Sequence, residues 1–217
     1  MSLQILEIAS MNLKGDLKAN DERLLSIFRI CLDGISEGGG KYFRFLTNTP
    51  TNQTLEKPIV TIIGIWPSAE LHSAFIASGK LTSLLSQLGD LISMREVVYL
   101  QVPPLNSVQI SVLEGDLVIA FFQVSSKNHH GFDEAAKSII GKVECVAGWS
   151  STQGENLKRS EEFGKGRSDQ EHSDAKHEGV WGILVGQKDR GVVDEIRSLT
   201  AQKHDHLEAL TWNALDC

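Results

Sequence analysis

Ile59-Val60-Thr61-Ile62-Ile63-Gly64-Ile65-Trp66-Pro67-Ser68-Ala69-Glu70-Leu71-His72-Ser73-Ala74-Phe75 sets the reading of the whole chain. Residues 59–65 are apolar or β-branched at nearly every position, the pattern of a strand covered on both faces. Trp66-Pro67-Ser68 breaks it, and Ser68 is a good N-cap for a helix that follows directly. Leu71, Phe75 and Ile76, then Leu81, Leu84, Leu85 and Leu88, supply one apolar stripe.

Working outward, residues 3–11 suit a first strand. Asn20-Asp21 opens a helix in which Leu24, Leu25, Phe28, Cys31, Leu32 and Ile35 recur at helical spacing, and Gly38-Gly39-Gly40 stops it. Tyr42–Leu46 reads as a second strand and Val97–Val102 as a fourth, ended by Pro103-Pro104. The order is β-α-β-β-α-β, a ferredoxin-like unit over residues 1–104. Residues 105–217 repeat it, with strands at 117–124, 143–150, 180–185 and 206–212 and helices at 129–141 and 189–202. Ser107–Leu113 suggests an extra strand before this second unit. Gln153–Glu178 is charged and glycine-rich with little apolar bulk, so residues 153–178 are expected to form an exposed, mobile loop. Each unit leaves one sheet face bare. The expectation is therefore an α+β protein: two tandem ferredoxin-like units packed sheet-to-sheet as an intramolecular α+β barrel.

Composition narrows the partners. The formal net charge is −7, which disfavours nucleic acid and anionic membrane surfaces. No run approaches the length of a membrane span. Three widely spaced cysteines, Cys31, Cys145 and Cys217, fit a reducing compartment rather than a disulfide framework. The N-terminus reads as a strand, not a signal peptide. A cytoplasmic protein is expected, either a monomer in which the halves mimic a dimer or a homodimer.

The stretch Gly64–Phe75 also resembles the dimeric α+β barrel superfamily, and within it the antibiotic-biosynthesis-monooxygenase-like proteins. Trp66, Ser68, Glu70, His72 and Phe75 carry the resemblance. The second half departs from it: Val185–Val192 lacks the Trp and the His. The whole resembles tandem fusions, of a kind met in fungal secondary metabolism, in which one half keeps the pocket. The resemblance implies a cofactor-independent monooxygenase acting on a small hydrophobic, aromatic or polyketide-like metabolite. It also admits a non-oxidative cyclase, isomerase or decarboxylase, or a non-catalytic ligand-binding or stress-related barrel, since fold does not choose among them.

Within that frame His72 is the candidate general base, one turn into a capped helix; its plain structural role would be to brace that helix. Trp66, Trp149 and Trp181 are candidate substrate walls, or simply core aromatics. Tyr42 and Arg44 alternate with Phe43 and Phe45, which puts Tyr42 and Arg44 on one strand face where they would suit an enolate or carboxylate. No cofactor is expected: Gly38-Gly39-Gly40 follows a helix, and no Gly-x-Gly-x-x-Gly or Walker pattern occurs. No metal is expected either. His129-His130 are adjacent, His172 and His177 lie in the polar segment, and His204-Asp205-His206 is the best of a weak set.

Overall fold

The computed structural model describes residues 3–48, 58–151, 179–201 and 206–215, with the backbone alone at Ser126, Ser151 and 206–210. The expected loop at 153–178, Cys217, residues 49–57, His204, Asp205 and the side chain of His206 lie outside that description.

The elements run β1 (Gln4–Leu13), α1 (Glu22–Glu37), β2 (Lys41–Asn48), β3 (Ile59–Trp66), α2 (Ala69–Ala77), α3 (Lys80–Leu88), β4 (Ile92–Val102), α4 (Ser107–Glu114), β5 (Leu117–Val124), α5 (Ser126–Ile140), β6 (Cys145–Ser151), β7 (Gly179–Gly186), a 3-10 turn (Gln187–Asp189), α6 (Gly191–Thr200) and β8 (His206–Ala214). The eight strands close into one barrel in the order β1-β3-β2-β8-β5-β7-β6-β4, with antiparallel pairing throughout. The first four strands neighbour one another as β4-β1-β3-β2 and the last four as β6-β7-β5-β8. The two sets join through β2–β8 and β4–β6.

Strand alternation sorts the core into three layers. Leu6, Ile8, Ile63, Ile65, Val98 and Leu100 from the first four strands meet Leu117, Ile119, Val146, Leu184 and Trp212 inside the barrel. The outward faces bury against helices. Ile5, Ala9, Val60, Ile62 and Trp66 pack on Leu24, Phe28 and Phe75, while Val118, Ala120, Phe122 and Trp181 pack on Phe132, Ala136 and Ile196. Helix α1 forms as its stripe dictates: Asp21 caps it by accepting from Arg23 and Leu24 N–H, and Leu24, Phe28, Cys31 and Ile35 face inward.

Two local expectations are corrected. Ser107–Leu113 is helix α4, not a strand, because Asn106 and Gln109 form a reciprocal capping box that satisfies the first N–H groups of a helix. Val112 and Leu113 then plug one end of the barrel. The stripe after Ser68 is two helices rather than one. Gly79 sits at φ 73 between α2 and α3, a conformation that suits glycine and ends the first helix. Leu71 and Ile76 are consequently exposed.

Candidate functional site

Glu7 lies on the helix-facing side of β1, between Ile5 and Ala9 in the i±2 series. Register places it beside Gly64 of β3 on one flank and Tyr99 of β4 on the other. The absence of a side chain at Gly64 is required there, since a Cβ would run into the ring of Phe43. Trp66, at the end of β3, donates its indole N–H to Glu7 Oε2 at 2.6 Å. Ser68 caps α2 by accepting from Leu71 N–H, which sets the first turn so that His72 hangs over the sheet. His72 Nε2 is 3.6 Å from the same Glu7 oxygen. Its ring lies 4.8 Å from that of Tyr99 and 5.3 Å from that of Trp66, centroid to centroid. Phe43 and Phe75 complete the wall around Trp66, at 5.4 Å and 5.0 Å.

Little water reaches this cluster. Trp66 is 1% exposed, and the His72 and Glu7 side chains are 13% and 17% exposed. Burial penalises the charged form of every titratable member. The Glu7 carboxyl is pushed up to about 7 by desolvation, against the Trp66 hydrogen bond that pulls it down. Desolvation lowers His72 to about 4. The Tyr99 phenol is raised, first by desolvation and then by the neighbouring Glu7. Near neutral pH the cluster thus holds a neutral imidazole, a neutral phenol, an indole donor and a carboxyl close to its midpoint. Such a set can accept a proton and hold the resulting anion by hydrogen bonds.

The other sequence-derived candidates fall elsewhere. Tyr42 is 43% exposed, at φ 57, next to a bulge between Lys41 and Arg44. Arg44 spans to the end of α4, donating to the carbonyls of Glu114, at 2.8 Å, and Gly115. Phe43 and Phe45 share the helix side, as alternation requires, with Phe45 stacked on Phe28. Trp149 and Trp181 belong to a separate aromatic group in the second half. Trp149 stacks on His129 with centroids 3.8 Å apart and its indole N–H reaches Asp133 Oδ1 at 3.3 Å. Trp181 packs edge-on against Phe122 and Phe132. The structure therefore joins Trp66 to His72 and leaves Tyr42, Arg44, Trp149 and Trp181 outside their ring contacts.

Glu7 is the residue that sequence reading overlooked. Its signal was present: an acid flanked at i±2 by apolar residues in a strand whose two faces are both apolar must be buried.

A small pocket, partly open to solvent, lies among residues of β1, β3, β4, β5 and β8. It is lined by Ile8, Ser10, Ile59, Arg95, Glu96, Ile119, Phe121 and Trp212, and neither Trp66 nor His72 borders it.

No family model and no curated protein matches this chain. Solved structures do match in fold. A protein provisionally named a monooxygenase from Fusobacterium nucleatum is 11% identical with a TM-score of 0.57, covering 99% of this chain and 94% of that one. Another provisionally named monooxygenase, from Lactobacillus acidophilus, is 9% identical with a TM-score of 0.53, over 97% and 93%. A variant chlorite dismutase from Candidatus Nitrospira defluvii is 8% identical with a TM-score of 0.55, over 98% and 92%. These likenesses establish the α+β barrel fold. Among the described residues, no helix is long and apolar enough to cross a membrane.

Proposed function

We propose that this chain is an enzyme of the cofactor-independent monooxygenase type, acting on a small aromatic or polyketide-like metabolite. The observation that carries the reading is the meeting of His72, Glu7, Trp66 and Tyr99 in a nearly dry cluster between the first sheet and α2. Proton abstraction there would leave the substrate as a carbanion or phenolate, electron-rich enough to react with oxygen directly. The aromatic wall would exclude water from that species. We further read the chain as two tandem ferredoxin-like units, residues 1–104 and 105–217, because the strand-helix order and the neighbour order recur in each half. The first keeps the site and the second completes the barrel. The fold likeness to proteins named as monooxygenases sets the scaffold; the side chains carry the chemistry.

Substrate entry requires His72 and Phe75 to move off Trp66. Both ride on α2, a nine-residue helix whose one buried side chain is Phe75, with Gly79 as its joint to α3. So short and lightly packed an element opens at low free-energy cost.

The same donor and acceptor set moves protons whether or not oxygen follows. A cyclase, isomerase or decarboxylase on this scaffold is therefore the second reading. Oxygen uptake in the presence of aromatic ketones and hydroxyaromatics separates the two. Under the first reading the protein consumes oxygen, and His72→Ala lowers the rate by about 10 to 100-fold. An unchanged rate in His72→Ala removes the mechanism.

A further inference from the structure

The helix-facing positions of β1 are Ile5, Glu7, Ala9, Met11 and Leu13, and Glu7 is the one that is not apolar. The matching face of β5 is Val118, Ala120, Phe122 and Val124, apolar throughout. The second half thus builds the same layer without an acid, so the scaffold does not need one. Placing a carboxyl in this layer opposes folding, and such a group is retained where it does chemistry.

We propose that Glu7 is the base that takes the substrate proton, that His72 is a positioning residue which passes that proton toward water, and that the site accepts electroneutral carbon acids. This rests on the reading of the site as a proton-abstraction centre. Geometry supports each part. Trp66 N–H fixes Glu7 Oε2 at 2.6 Å, so the carboxylate is oriented before substrate arrives. His72 Nε2 is 3.6 Å from that oxygen, and its side chain is 13% exposed, so a proton on the imidazole has contact with water. Among the described residues, the titratable groups that face the carboxyl are His72 from α2 and Tyr99 from β4. Neither is a standing cation at neutral pH, so nothing there offsets a second negative charge. An anionic substrate would be repelled by ionised Glu7, whereas a neutral ketone or 1,3-dicarbonyl would pack against Trp66, Tyr99 and Phe43. In the step itself the substrate C–H bond breaks and its electron pair stays on the substrate as an enolate. The proton forms the O–H bond of Glu7 and leaves through His72.

The test is loss of deuterium from 2-tetralone deuterated at its acidic benzylic carbon, followed by NMR without oxygen. The wild-type protein should accelerate the loss, with a rate that rises as pH increases through about 7. Glu7→Gln should slow it by about 100-fold or more, and Glu7→Asp should retain part of it. His72→Ala should shift the midpoint of the pH–rate profile, which a merely structural residue would not do. Failure of the wild-type protein to accelerate exchange overturns the proposal. So does a Glu7→Gln rate within about threefold of wild type, against the effect expected of a general base. Exchange that depends on Glu7 without oxygen uptake in air supports Glu7 as the base while removing the oxygenase reading. Oxygen uptake that survives Glu7→Gln does the reverse.

Discussion

Burial moves Glu7 up from 4.5 to about 7 and His72 down from 6.5 to about 4, so the two residues make opposite contributions to stability as pH changes. For Glu7 the folded chain binds more protons than the unfolded chain between those limits, and stability falls as pH rises from 4.5 to 7. For His72 the unfolded chain binds more, and stability rises as pH goes from 4 to 6.5. Each contribution is on the order of 3 kcal/mol, so they nearly cancel when both residues are present. Glu7→Gln leaves the His72 slope alone, and its urea midpoint should climb through that window. His72→Gln leaves the Glu7 slope, and its midpoint should fall. Parallel slopes in the two variants would contradict the described burial. His72 and Trp66 were legible in the sequence because a capped helix after a strand fixes their separation. The burial of Glu7 could be read from its strand, but its partners could not, because its neighbours across the sheet depend on register, and register joins it to residues 57 and 92 positions away in the chain.

Helix α4 shows how an element can be misread from a pattern that is present. Val108, Ile110 and Val112 alternate as in a strand, yet the Asn106–Gln109 box satisfies the first backbone donors locally and decides for helix. The far end of α4 is held by Arg44, whose guanidinium donates to the carbonyls of Glu114 and Gly115. This position suits a cation, since the last carbonyls of a helix carry partial negative charge. Asn106→Ala should lower stability by about 1 kcal/mol, and Arg44→Ala by about 2 kcal/mol through two charge-assisted hydrogen bonds. Urea denaturation measures both, and a silent Arg44→Ala would mean that α4 is not tied at this end. The Lys41–Arg44 bulge that lets Arg44 reach α4 left no sequence signature: none of its residues is a glycine, and Tyr42 takes the positive φ.

Across the whole molecule, one interior layer drawn from both ends of the chain fills the barrel, and the cluster of Glu7, Trp66 and His72 sits outside it, on the helix-facing side of the first strands. The apolar strands foretold that both sheet faces would be covered. They could not say on which side of the sheet a polar group would be tolerated, because that depends on how helices lie over particular residues. The account therefore turns on location: ligand on the helix side at Trp66, not in the barrel cavity that Trp212 lines. The chain has four tryptophans, whose indole N–H groups give separate reporters in a ¹⁵N NMR spectrum. Titration with 2-tetralone should move the Trp66 indole signal and leave that of Trp212 in place. Movement of Trp212 with Trp66 unmoved would put the site in the barrel and contradict the account.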